Sequence, residues 1–112
     1  MKLAERKVGA YSILEVLESR LGADKAVAFK EAVGRHLSGG TASVVLDLSQ
    51  VEFIDSSGLG AILSILKRMP KGRELILCGT TDSVMSMFKL TRLDRIFTMK
   101  KNVDEALTTL AI

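Results

Sequence analysis

Two adjacent serines stand between an aspartate and a pair of glycines in the stretch Asp55-Ser56-Ser57-Gly58-Leu59-Gly60. Hydroxyls and a carboxylate in a row have three uses to weigh. They cap the free N–H groups of a helix, supply a nucleophile, or help cradle a phosphate. An apolar run, Val44-Val45-Leu46-Asp47-Leu48, then Val51, Phe53 and Ile54, leads into the stretch and reads as a strand. Leu59, Ile62, Leu63 and Leu66 leave it at i, i+3, i+4 and i+7, one face of a helix. The serines therefore fall at a helix start, and the glycines beside them let another molecule approach its backbone closely.

A cap is worth about 1 kcal/mol and needs one residue. Three candidates, followed by two glycines that each weaken the first turn by up to ~1 kcal/mol, are more than capping requires. A nucleophilic serine needs an adjacent base. The sole histidine, His36, lies on a predicted helix with no evident link to the turn, and the Gly-x-Ser-x-Gly spacing is absent. The Lys-Ser/Thr that closes a nucleotide-binding loop is also missing, and Gly58-Leu59-Gly60 sits within the helical pattern. No catalytic residue and no cofactor is assigned, and an enzyme is not expected. One histidine and one cysteine assemble no His/Cys metal site.

The elements around the turn alternate. Leu3 to Val8 is a possible edge strand, and Tyr11 to Glu18 is a stronger one with Ile13 and Leu17 inward. Asp24 is a plausible cap for a helix through Leu37 with Ala26, Phe29, Ala32, Val33 and Leu37 on one face, ended by Gly39-Gly40. Ser43 to Leu48 is a strand buried on both faces. The helix that begins at the serines stops by Met69, ahead of Pro70. Glu74 to Cys78 is the next strand. Thr80 or Thr81 caps a helix with Val84, Met87, Phe88 and Thr91 on one face. Ile96-Phe97-Thr98 is short and β-prone, and Asn102 caps a last helix with Val103, Ala106, Leu107 and Leu110 inward. The fold class is α/β: one domain over residues 1–112, a mixed four- to five-stranded sheet with one antiparallel edge and about four helices.

The composition, 47% hydrophobic and 26% charged, is that of a globular protein. The net charge of +3 comes from bases interleaved with acids, and four Phe, one Tyr and no Trp leave little for base stacking, so nucleic acid is not an expected partner. Cys78 lies in the apolar run Leu75-Ile76-Leu77-Cys78 and reads as a buried thiol. Neither a signal peptide nor an apolar run of ~20 residues is present; no membrane insertion and a cytoplasmic location are expected.

The stretch from Val45 to Gly60, with Phe53-Ile54-Asp55-Ser56-Ser57-Gly58-Leu59-Gly60 at its core, strongly resembles the STAS domain of sulfate transporters and anti-sigma factor antagonists. Within it, the chain is most similar to the bacterial stand-alone antagonists. Val84, Met87-Phe88-Lys89-Leu90 and Leu93-Asp94-Arg95-Ile96-Phe97 are similar to the family's third helix and last strand, and the resemblance runs from about Tyr11 to Leu110. It implies an antagonist that binds an anti-sigma factor when unphosphorylated. That partner is also a serine kinase and binds the ATP; it phosphorylates the second serine of the motif, here Ser57, and a PP2C-type phosphatase reverses the step. Asp55, Ser56 and Gly58 support the phosphosite. Departures are Ser19-Arg20-Leu21-Gly22, where the family often has Gly-Glu-Leu-Asp, and Arg92, where a glycine is usual.

A phosphate adds about −1.5 to −2 charges. At a helix N-terminus the dipole favours it by ~0.3–1 kcal/mol, so the fold should survive. Against an acidic partner surface, repulsion of about 1–3 kcal/mol means roughly ten- to hundredfold in affinity. The expected partner surface is Asp55, Ser56, Ser57, Leu59, Gly60, Ser64, Ile65 and Arg68, with Ile65 an outward anchor. Met85 is a second, weaker candidate. The alternative is an unphosphorylated STAS scaffold in a lipid-transport or signalling complex, with the serine turn a mere interface cap.

Overall fold

The wholly apolar run ahead of the serine turn calls for a strand with neighbours on both sides, and it has them. A computed structural model describes residues 1–38 and 43–110. Strand β1 (Leu3–Val8) pairs antiparallel with β2 (Tyr11–Val16). The two-residue β3 (Arg20–Leu21) and helix α1 (Ala26–Ser38) follow. Next come β4 (Ser43–Asp47), the two-residue β5 (Phe53–Ile54) and helix α2 (Ser56–Arg68). The chain closes with β6 (Leu75–Cys78), α3 (Asp82–Leu90), a 3-10 turn (Leu93–Arg95), β7 (Thr98–Lys100) and α4 (Val103–Leu110).

The main sheet runs β1-β2-β4-β6-β7, parallel throughout except at the β1 edge. Val44, Val45 and Leu46 of β4 and all of β6 are buried, as strands covered on both faces must be. One face is sealed by α1, α2 and α3 through a cluster that includes Phe29, Val33, Leu46, Ile62, Ile65, Leu77 and Phe88. The other face, with Ile13, Val45, Ile76 and Cys78, lies under Ala106 of α4. Burial and the neighbouring Asp47 push the Cys78 thiol up to about 12, so it stays protonated at neutral pH.

The expected architecture holds, with local corrections. Strand β2 stops at Val16, so Leu17 does not pack inward but stands 42% exposed. Helix α1 begins at Ala26, and Asp24 lies in the preceding turn rather than at its cap. The Gly39-Gly40 helix stop and the side chain of Leu110 lie outside the described residues. Thr91, expected on the inner face of α3, is exposed. The last strand starts at Thr98, two residues later than its β-prone run suggested, because Leu93–Arg95 form a 3-10 turn entered through Arg92. Arg92 has φ +61°, the one positive φ of a non-glycine residue among the described residues. Thr81 and Asn102 cap α3 and α4, accepting from Val84 N–H at 3.4 Å and Glu105 N–H at 2.8 Å.

Candidate functional site

Strands β3 and β5 form a separate parallel pair, Arg20 opposite Phe53 and Leu21 opposite Ile54, that brings the 19–23 loop against the start of α2. Ser19 C=O accepts from the N–H groups of Glu52 and Phe53, and the Arg20 guanidinium lies 4.2 Å above the Phe53 ring. Two residues of strand leave almost no periodicity to read, so the sequence hid this pairing.

Asp55 is the N-cap of α2, in extended conformation. Its Oδ1 accepts from Gly58 N–H at 3.0 Å, and its Oδ2 accepts from Ala23 N–H at 3.2 Å. One carboxylate thus closes the helix start and fastens it to the neighbouring loop. The Gly58 N–H, with smaller help from the Ala23 and Ser57 N–H groups, holds the Asp55 carboxyl below its ordinary value against opposing desolvation. It is ionised at neutral pH.

The glycines of the motif divide into two kinds. A Cβ on Gly58 would fall 2.1 Å from the carbonyl oxygen of Leu21 and 2.7 Å from Ile54, so only glycine lets α2 seat on β3. A Cβ on Gly60 would meet nothing within 4 Å, and Gly60 is exposed. Gly22 is tightly placed as well: its Cβ would lie 3.0 Å from Asp55 Oδ2, which would have to give by a few tenths of an ångström. The sequence pointed to Gly58 and Gly60 together. Gly22 read only as part of the break before α1, and an isolated Leu-Gly-Ala offers no signal that a distant carboxylate will need the room.

With Asp55 filling the cap, Ser56 and Ser57 stand exposed in the first turn of α2. Gly60 is exposed beyond them and Ser64 is half-buried. The expected surface needs two corrections. Ile65 is not an outward anchor: it is 1% exposed and belongs to the core. Leu59, 3% exposed, also packs inward and offers nothing to a partner. Arg68 is exposed but lies twelve residues along the helix from Ser56, about 18 Å, near Gly34 of α1 rather than near the serines. The buried stripe runs through Gly58, Leu59, Ala61, Ile62 and Ile65, while Leu63 and Leu66 flank it half-buried. Small Gly58 and Ala61 draw the helix close along a line that the larger leucines had masked.

No catalytic partner meets the serines among the contacts of the described residues. His36 Nδ1 instead lies 3.1 Å from Glu5 Oε2, which also accepts from the buried Ser12 hydroxyl at 2.8 Å. The Ser12 hydrogen bond, with lesser contributions from His36, lowers the Glu5 carboxyl. No group of three His, Cys, Asp or Glu side chains suited to a metal occurs among the described residues. None of the described helices is long and apolar enough to cross a membrane. The segments 47–57 and 79–83 carry Asp47, Glu52, Asp55 and Asp82 and no Lys or Arg of their own, while Arg20 lies over Phe53 and Lys100 and Lys101 lie beside 79–82.

Comparison with known proteins agrees with this geometry. The STAS domain family matches residues 11–106. An anti-sigma F factor antagonist of Paenibacillus polymyxa is 36% identical over 70 residues, 62% of this chain and 60% of that protein. A Thermotoga neapolitana protein provisionally assigned as an anti-sigma factor antagonist is 36% identical over 89 residues, 78% of this chain and 79% of that one. The crystal structure of a Thermotoga maritima protein, provisionally assigned to the same class, superposes with a TM-score of 0.88 at 31% identity, covering 98% of this chain and 95% of that one. The chain belongs to the STAS domain family.

Proposed function

We propose that this chain is an anti-sigma factor antagonist whose hold on its partner is switched by phosphorylation of Ser57, with Ser56 its equally exposed neighbour. The observation that carries this reading is the division of labour at the start of α2. The Asp55 carboxylate accepts from Gly58 and Ala23 as the cap of α2, and Ser56 and Ser57 are exposed beside it. The similarity to anti-sigma factor antagonists supports an anti-sigma factor as the class of partner; in this proposal that partner is also a serine kinase and carries the ATP.

In the transfer, a bond forms between a serine Oγ and the γ-phosphorus of the partner's ATP. The bond from that phosphorus to ADP breaks, and the hydroxyl proton is released. The modified serine gains about −1.5 to −2 charges on a surface already carrying Asp55. The α2 dipole and the braced Asp55 keep the turn in place, so the added charge acts on the partner rather than on the fold.

The test is incubation with an anti-sigma factor kinase and Mg-ATP, read by fragmentation mass spectrometry on the wild type, Ser56→Ala and Ser57→Ala. Ser57 is the acceptor expected from the resemblance, and Ser56 is its equally exposed neighbour. One phosphate, abolished by Ser57→Ala and not by Ser56→Ala, supports the proposal. Stable binding to the partner with no phosphate on either serine supports the constitutive scaffold instead.

A further inference from the structure

We infer that the end of the molecule opposite the serines is a docking surface for an anionic lipid bilayer. The loops after α2 and α3 enter β6 and β7, which are neighbours in register, with Ile76 opposite Thr98. Residues 67–74 and 89–96 therefore lie side by side at the N-terminal ends of these strands. Together they contain seven Lys and Arg against Glu74 and Asp94. The serine end is mixed in charge by comparison, with Arg20, Lys100 and Lys101 set among Asp47, Glu52, Asp55 and Asp82. Lys67, Lys71, Lys89, Arg92 and Arg95 are all exposed.

Cations in the last turn of a helix have an ordinary use in complementing its dipole, and that accounts for Lys67, Arg68 and Lys89. It does not account for Lys71 and Arg92, which lie outside the helical segments. Nor does it account for Leu90 and Ile96, which are 79% and 56% exposed. A chain of turns joins these residues: Arg92 N–H to Lys89 C=O, Arg95 N–H to Arg92 C=O, and Ile96 N–H to Leu93 C=O, at 3.0–3.2 Å. Two exposed aliphatic side chains thus share one knuckle with the exposed cations Lys89, Arg92 and Arg95. Arg92 is held there in a left-handed conformation that glycine would adopt without strain.

Cations with interspersed aliphatics suit a bilayer, where the charges meet anionic headgroups and the side chains enter the interface. Nucleic acid would need groove-reading or stacking groups, and the knuckle from Lys89 to Ile96 contains no aromatic residue. With α2 about 20 Å long, a domain docked this way turns its serines toward the bulk. The inference does not depend on the phosphorylation reading.

The experiment is co-sedimentation of the full chain with phosphatidylcholine vesicles and with vesicles containing about one third phosphatidylglycerol. Binding to the anionic vesicles should exceed binding to the neutral ones at least tenfold and collapse at about 0.5 M salt. Arg92→Gly, which removes a charge and relieves strain, should weaken binding about fivefold with the fold intact by circular dichroism. Leu90→Ser with Ile96→Ser should weaken it at least tenfold. Equal binding to both vesicle types overturns the inference. So does anionic binding that ignores the Leu90 and Ile96 changes and yields to duplex DNA, which would mark a general polyanion patch.

Discussion

Helices α2 and α3 both begin at strand-to-helix turns on the same face of the sheet, and they begin differently. At α3, Thr81 accepts from Val84 N–H at 3.4 Å and donates to Val51 C=O at 3.2 Å, followed by exposed Asp82 and Ser83. At α2, Asp55 accepts from both the helix and a separate loop, Gly58 is pressed onto a backbone carbonyl, and two exposed serines follow. Ser83 and Ser57 occupy the same position relative to their caps. The α3 start is an ordinary capped helix. The α2 start is braced by groups that are not serines. An exposed serine at a helix start is therefore not the distinguishing feature. What sets α2 apart is an ionised cap tied to the 19–23 loop and a glycine pressed onto the Leu21 carbonyl, with two exposed serines between them.

The largest effect expected of breaking this brace comes from Gly58→Ala. A Cβ there requires the Leu21 backbone to move, and urea unfolding should show a loss of about 3 kcal/mol or more. Thr81→Ala at the other helix start should cost only about 1 kcal/mol, the value of a cap. If the two changes cost the same, the two starts do not differ as described.

Asp55→Asn keeps the shape but turns an amide N–H toward Ala23 N–H, and should lower the thermal midpoint at neutral pH. The sign of its pH dependence follows from the depressed carboxyl. The stabilisation is fully present above the ordinary value of 3.8 and is lost as pH falls through the lower folded value. The gap between wild type and Asp55→Asn should accordingly narrow below pH 3.8. A constant gap would show that the charge is not what holds the loop.

Gly60→Ala is the smallest change and sharpens the comparison from the other side. Space is free at that position, so the helix should gain up to about 1 kcal/mol. If α2 meets a partner closely, the same methyl weakens the complex. A stabilised variant with undiminished binding would remove Gly60 from the interface.

The alternation of strands and helices was legible because each run carries a clear period: the apolar block of β4, the stop at Pro70, the caps Thr81 and Asn102. The serine turn was legible for the same reason, as a strand flows straight into a helix there. What was not legible depends on contact between distant segments. The β3–β5 pair has too few residues for a pattern, and the tight fit at position 22 arises only once Asp55 Oδ2 is in place. The outward reading of Ile65 came from counting large side chains, whereas the helix settles along its small ones. The late start of β7 reflects Arg92 in a conformation no propensity favours for arginine.

The most direct measurement is the affinity of the unmodified and the enzymatically phosphorylated chain for the same anti-sigma factor kinase, with thermal unfolding of both forms alongside. The account predicts a single phosphate on Ser57 and none on Ser83. It also predicts affinity reduced at least tenfold and a midpoint unchanged within a few degrees. Equal affinity for the two forms, a phosphate carried by Ser83 instead, or unfolding on modification would contradict it.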